Sequence, residues 1–303
     1  LDQFRILAFP HVKSSWFKRL HFEFIFSRQL SAELKPDIWI ALHDITPNVI
    51  CPVQVVYCHN PSPFYRVKLA DVLFDYKFFL FSIFYKYLYR INIKRNKYVI
   101  VQQQWLREKF KAFYDVDAIV AYPSLHAPHQ ESMNERVQLT HNDAGIYTFF
   151  YPAFPRTFKN IEMLLEAAVR LAASRNDFQV IVTIDGTQNK YSGKIYKDFS
   201  KYPFIKFIGK QSRAAVETLY SEVDCLVFPS KLETWGLPIT EFKNYKKPIL
   251  TVDLDYAHET IGNYSKVKFF DAEDVTALAA MMNDATANTL VYDGNTTEKP
   301  AAP

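Results

Sequence analysis

Glycine is scarce in this chain: 7 among 303 residues, and none before Gly145. With hydrophobic residues at 49% and charged residues at 22%, the composition is that of a globular protein and excludes a fibrous or disordered one. Cysteine is scarcer still. Cys51, Cys58 and Cys225 all sit in apolar runs and none has CxxC or metal-ligand spacing, so neither a disulfide framework nor a cysteine metal site is expected. Such thiols suit a reducing, cytosolic setting. Long apolar runs are missing too: the longest uncharged one, Phe78 to Tyr85, lies between Lys77 and Lys86 and is too short to cross a bilayer. The opening residues show no signal-peptide pattern.

Aromatic residues are abundant, at 16% with 26 Phe and 19 Tyr, and positive charge is unevenly spread. Residues 1–145 carry 18 Lys and Arg against 13 Asp and Glu, a net of +5, which leaves −1 for the remainder of a chain at +4. Residues 66–111 hold 11 basic against 3 acidic side chains, and twelve aromatics lie from Phe64 to Tyr98. This basic, aromatic segment suits an anionic partner: a membrane surface, a lipid diphosphate or nucleic acid. Buried aromatics with solvated lysines opposite account for it equally well.

At about 150 residues per domain the length predicts two. In the second half, strand-like runs at Gly145–Phe150, Phe178–Ile184, Ile205–Ile208, Cys225–Phe228, Pro248–Val252 and Val267–Phe270 alternate with helical patterns near Arg213–Glu222, Pro238–Tyr245 and Ala272–Met282. The best helical pattern places Ile161, Leu164, Leu165, Ala168, Leu171 and Ala172 on one face. Such alternation predicts βαβ units and a parallel sheet covered on both faces. The first half predicts strands at Phe4–Phe9, Ile38–Leu42, Val53–Cys58, Tyr98–Gln102 and Ala118–Tyr122, with helices at Trp16–Leu34, Val67–Lys94 and Trp105–Tyr114. The polar segment His126–Asp143 reads as a linker or surface loop, and Asn295–Pro303 as a frayed tail. The predicted domains are therefore 1–144 and 145–294, followed by the tail 295–303, with ligands expected in a cleft at the strands' carboxyl ends.

The most informative stretch is DCLVFPSKLETWGLPITE, residues 224–241. A buried strand runs into a loop carrying Glu233, Gly236 permits a tight turn, Pro238 suits a helix start and Glu241 follows within that helix. Free backbone N–H groups at the helix start favour an anion, and the two carboxylates, eight positions apart, suit the hydroxyls of a sugar. In FYPAFPRTFKN, residues 150–160, Arg156 and Lys159 stand at the entry to the best helix, close to its N-terminus.

The string ETWGLPITE, with VDCLVFPS before it and KKPILTVD after it, resembles the E-x7-E signature of retaining glycosyltransferases of family 4. That resemblance covers most of residues 146–285 in element order. It implies the GT-B fold: two Rossmann-like α/β domains facing each other across a cleft, an acceptor-side domain at 1–144 and a nucleotide-sugar domain at 145–294. It gives Glu233 the donor sugar hydroxyls, Glu241 the ribose, and the backbone at Trp235, Gly236 and Leu237 the diphosphate or donor sugar. Lys159, with Arg156, takes the leaving diphosphate without a metal or other cofactor. In the first half, YCHNPSPFY (57–65) resembles the loop whose histidine approaches the reacting centre, giving that role to His59 beside Asn60. His43 and Asp44 at the neighbouring strand end, and Gln102 and Trp105 in VQQQWLREKF, are weaker candidates for the cleft.

Members of that family open with a strand and a Gly-rich loop. The chain has no counterpart of that loop, so the opening βα unit either lies outside these 303 residues or is built differently.

The expected function is transfer of a sugar from a UDP- or GDP-linked donor to a saccharide or lipid-diphosphate saccharide acceptor, in bacterial surface-polysaccharide synthesis such as O-antigen. The expected location is cytoplasmic, peripheral on the inner face of the membrane, with no nucleic-acid partner. Two other readings remain: a polyanion- or membrane-binding protein working through residues 66–111, and an inactive sugar-nucleotide-binding relative.

Overall fold

Ten short apolar runs among the described residues are strands, all in parallel pairing. The computed structural model describes residues 5–67, 69–123 and 145–294, so the predicted linker core and tail lie outside the described residues. The chain divides into two compact units, Leu1–Phe64 with Phe81–Tyr122, and Tyr65–Leu80 with Pro123–Pro303. Residues 65–80 thus belong with the second unit although they lie far before residue 145 in sequence.

In the first unit the predicted Trp16–Leu34 helix is present as α1 (Trp16–His21), a π-helical turn at Phe22–Phe26 and α2 (Ser27–Leu34). Ser27 Oγ donates to the Phe22 carbonyl at 2.7 Å, five residues back, which fits the wider turn. Four parallel strands follow: β1 (Ile38–Ala41), β2 (Val53–Cys58), β3 (Tyr98–Val101) and β4 (Ile119–Val120), in the order β1-β2-β3-β4. Val56, Val99 and Val101 are buried against Tyr85 and Tyr89 of α3 (Leu69–Arg90) and Leu106 and Phe110 of α4 (Gln104–Tyr114). Each large side chain so buried contributes about 1.5–3 kcal/mol. The predicted strand Phe4–Phe9 is a correction: residues 5–9 form no regular structure, and Phe9 instead packs on Phe22 and Phe26 at centroid distances of 5.2 and 5.3 Å.

Helix α3 contains a break. Asp75 has φ −149° and ψ 70°, and its Oδ1 accepts the Phe78 backbone N–H at 3.0 Å. Asp75 therefore caps a new helical segment from inside the old one, the role a short acidic side chain fills best.

The second unit has a six-stranded parallel sheet of β5 (Tyr147–Tyr151), β6 (Phe178–Val182), β7 (Ile205–Phe207), β8 (Cys225–Phe228), β9 (Ile249–Val252) and β10 (Val267–Phe270), in the order β10-β9-β8-β5-β6-β7. Its helices are α5 (Ile161–Leu171), α6 (Lys190–Phe199), α7 (Arg213–Glu222), α8 (Leu237–Lys243), α9 (Asp255–Ile261) and α10 (Val275–Thr286). Every residue of β8 and β9 is buried, as expected of central strands covered on both faces. Strand order reverses between β5 and β8, which pair through Phe149↔Cys225 and Phe150↔Leu226. In a doubly wound sheet that reversal opens the ligand crevice at the strands' carboxyl ends.

The three cysteines are free thiols. Burial raises the pKa of Cys58 and of Cys225, and raises that of the more accessible Cys51.

Candidate functional site

The two loops beside this reversal carry Arg156, Lys159, Glu233, Trp235 and Gly236 of the predicted site. After β5 the chain makes a 3₁₀ turn, Thr157–Lys159, and Asn160 enters α5 at φ 55° while its Nδ2 donates to the Ala272 carbonyl at 3.0 Å. After β8 the chain runs through Ser230 and Glu233 to Gly236, whose φ of 80° favours glycine, and then into α8. That helix begins at Leu237, so Pro238 is its second residue rather than its first.

Lys159 and Glu233 are brought together. The Lys159 ammonium donates to Glu233 Oε1, and both side chains are mostly buried. Lys159 Nζ also lies 5.7 Å from the Phe158 ring centroid and 5.9 Å from that of Phe228, a shell that strengthens its electrostatics.

The surrounding backbone is pinned. Lys231 N–H donates to the Phe158 carbonyl at 2.7 Å, tying one loop to the other. The Tyr151 hydroxyl donates to the Lys159 carbonyl at 3.0 Å, and the Tyr256 hydroxyl to the Ser230 carbonyl at 2.5 Å. Burial, then the negative charge of Glu233, pushes both phenols well above their ordinary range, so they stay neutral donors. The Thr260 hydroxyl donates to the Trp235 carbonyl, and Trp235 Nε1 to Thr240 Oγ1 at 2.9 Å. Leu237 is exposed.

Glu241 and Arg156 have other partners. Glu241 accepts from the Tyr220 hydroxyl at 3.2 Å and pairs with Arg213 at 3.2 Å, both on α7. Burial raises its pKa, with Arg213 and the Tyr220 hydrogen bond pulling the other way. Arg156 pairs with Asp75 of α3 and lies over the Phe154 ring at 5.6 Å. Beside the 3₁₀ turn is a cavity of about 340 Å³ lined by Tyr65, Asp71, Thr157, Glu162, Tyr191 and Lys231.

In the first unit, His59 follows β2 and is organised by Asp44. Asp44 is buried at φ 76°, and its Oδ1 accepts the backbone N–H of His59 at 2.7 Å, that of Asn60 at 3.0 Å and the Tyr89 hydroxyl at 3.0 Å. The His59 ring stacks on Tyr57 at 5.6 Å, and the Tyr57 hydroxyl accepts from Gln102 Nε2 at 2.6 Å. Trp105 Nε1 donates to Gln103 Oε1 at 2.5 Å. At the end of β1, the buried Glu23 bonds the His43 ring, and Arg19 donates to the His43 carbonyl at 3.3 Å. These residues line a cavity of about 650 Å³ with Phe9, Trp16 and Phe22.

Sequence reasoning undervalued Asp44 and missed Arg213, Tyr220 and Asp75. An acidic residue just past a strand end was the available signal for Asp44; the others are partners that only the fold brings near.

The family described as Glycosyl transferases group 1 matches residues 131–298, more than half of the chain. The chain belongs to the glycosyl transferases group 1 family. A relative, the O-antigen chain mannosyltransferase RfbU of Salmonella typhimurium, is 22% identical over 214 residues, which is 69% of this chain and 55% of RfbU. Sucrose-phosphate synthase from Thermosynechococcus elongatus superposes with a TM-score of 0.66 at 13% identity, covering 94% of this chain and 72% of that one. A TarM variant of S. aureus, in complex with fondaparinux, α-GlcNAc-glycerol and UDP, superposes at 0.58 and 16% identity, covering 87% of this chain and 52% of TarM. This group 1 chain therefore has the GT-B fold, and it spans about half the length of RfbU and TarM. Among the described residues no helix is long and apolar enough to cross a membrane.

Proposed function

We propose that this glycosyl transferases group 1 chain carries the donor site of a retaining, metal-independent sugar transferase of family 4 type. The donor would be a UDP- or GDP-linked sugar, and the acceptor a saccharide on a lipid carrier in bacterial surface-polysaccharide synthesis. The observation that carries this reading is the Lys159–Glu233 pair at the reversal between β5 and β8. On donor binding the diphosphate takes the Lys159 ammonium, which frees the Glu233 carboxylate to accept from the sugar hydroxyls. Glu241 accepts from the ribose hydroxyls, the backbone at Trp235, Gly236 and Leu237 faces the diphosphate, and Arg156 adds positive charge.

In the transfer itself, the bond from the anomeric carbon to the phosphate oxygen breaks as the acceptor oxygen bonds to the same face of the sugar. The departing phosphate oxygen takes the acceptor's proton. No side chain has to serve as base, so the protein contributes positioning and charge stabilisation. His59 belongs at the reacting centre, and the cavity at the end of β1 belongs to the acceptor. The names of the relatives support the reading, since RfbU is an O-antigen mannosyltransferase and the TarM complex contains UDP.

Thermal shift against UDP, GDP and ADP, followed by a nucleotide-sugar panel read by mass spectrometry, tests it. A nucleotide-specific rise in Tm, lost in Glu241→Ala, is expected. Transfer abolished by Glu233→Ala with nucleotide binding kept completes the result. Absence of any nucleotide shift, or full transfer by Glu233→Ala, overturns it.

A further inference from the structure

Helix α3 has one face in the core and another in solvent. Tyr85 and Tyr89 are 2% and 0% exposed, while Phe84 and Tyr87 beside them are 59% and 54% exposed. At 100° per residue, Tyr76, Leu80, Phe84, Tyr87 and Ile91 fall within an arc of about 80°, and all five are exposed. They make one aromatic and aliphatic stripe, continuous beyond the cap at Asp75.

Along the chain through and beyond the stripe the charge has a single sign. No Asp or Glu occurs between Asp75 and Glu108, an interval that holds Lys77, Lys86, Arg90, Lys94, Arg95, Lys97 and Arg107. Lys77 flanks the stripe on one side, with Lys86 and Arg90 on the other, and Lys86 Nζ lies 5.2 Å from the Tyr87 ring. Lys94 is already paired with Asp115, and Arg95 with Asn48, so the flanking cations of α3 are the ones turned to a partner.

We propose that this face of α3 docks on a membrane surface rich in anionic lipid. Phe and Leu enter the acyl boundary, Tyr sits at headgroup level, and the flanking Lys and Arg meet the phosphates. A second copy of the chain is disfavoured as occupant, because a symmetric contact would set Lys77, Lys86 and Arg90 against themselves. A helix face that carries exposed Tyr and no acidic residue after Asp75 matches a headgroup layer better than a protein groove. The inference stands apart from the transferase reading, since it needs no donor site.

Flotation with vesicles of pure phosphatidylcholine, and with vesicles containing about one-quarter phosphatidylglycerol, tests it at low salt and at about 0.5 M salt. The full chain should float with the anionic vesicles only, and less at high salt. The variants Phe84→Ser/Tyr87→Ser and Lys77→Glu/Arg90→Glu should each lower partitioning about tenfold or more. Circular dichroism melts and the UDP-induced Tm shift, which neither variant should alter, report on the fold and donor site separately. Equal flotation with both lipids, no flotation with either, or wild-type flotation by both variants overturns the proposal. So does a dimer in sedimentation that Phe84→Ser/Tyr87→Ser dissociates.

Discussion

The Lys159 ammonium hydrogen-bonds the Glu233 carboxylate across the reversal point of a six-stranded parallel sheet, although 74 positions separate the two residues. The contact exists because β5 and β8 are neighbours, so their carboxyl-terminal loops emerge side by side.

Removing either partner should cost both stability and turnover. Lys159→Ala leaves a mostly buried carboxylate without its cation, and denaturant unfolding should show a loss of about 1–3 kcal/mol. If Lys159 stabilises the leaving diphosphate, kcat should fall about 10²–10³-fold. A double-mutant cycle with Glu233→Gln should give a coupling of about 1 kcal/mol or more, and additive losses would show that the pair is not coupled.

Asp44 holds the His59 loop, and its variants should be graded. Asp44→Asn keeps one acceptor oxygen and tolerates the positive φ, so a loss of about 1–2 kcal/mol is expected. Asp44→Ala leaves the backbone N–H groups of His59 and Asn60 without their acceptor, while the Tyr89 hydroxyl keeps the Asn60 carbonyl at 3.0 Å, and with the positive φ it should cost about 3 kcal/mol or more. Equal melting of the two variants contradicts this grading.

Burial raises the Glu241 carboxyl above its ordinary value near 4.5, so the folded chain holds that proton more tightly than the unfolded one. Its contribution to stability is therefore greatest below about pH 4.5 and is lost as pH rises through the raised folded value. Glu241→Gln removes that dependence. The variant should gain stability relative to the parent as pH climbs from 4 to 7, measured by urea midpoints; a constant difference would refute it.

Gly236→Ala tests the loop. An added methyl would come no closer than 3.4 Å to its nearest neighbours, Ile239, Phe228 and Tyr256, but φ of 80° is costly for alanine. The expected loss is about 1–2 kcal/mol, together with weaker nucleotide binding read by calorimetry. Unchanged affinity would separate this turn from the donor site.

The parallel sheet of the second unit was legible because its strands are almost wholly apolar and α5 presents one clean apolar face. Helices α6 and α9 were not. KYSGKIYKDF buries only Tyr191, Ser192 and Ile195 and includes a glycine, so periodicity is faint. Its real signal is the reciprocal cap between Asn189 and Ser192. The run at 4–9 looked like a strand because apolarity alone cannot tell a strand from a segment that packs by its side chains. The Glu233 loop could be placed from strand, glycine and proline order, Lys159 was singled out by the family resemblance, and their juxtaposition follows from strand order. The partners of Arg156 and Glu241 could not, because Asp75 and Arg213 come from distant elements.

The free thiols give each unit its own built-in reporter. Cys58 ends β2 in the first unit and Cys225 begins β8 in the second, both sealed from solvent. Reaction with a thiol reagent at each position must wait for its own sheet to open, so timing the two modifications by peptide mass would clock the breathing of the two units independently in one unlabelled sample.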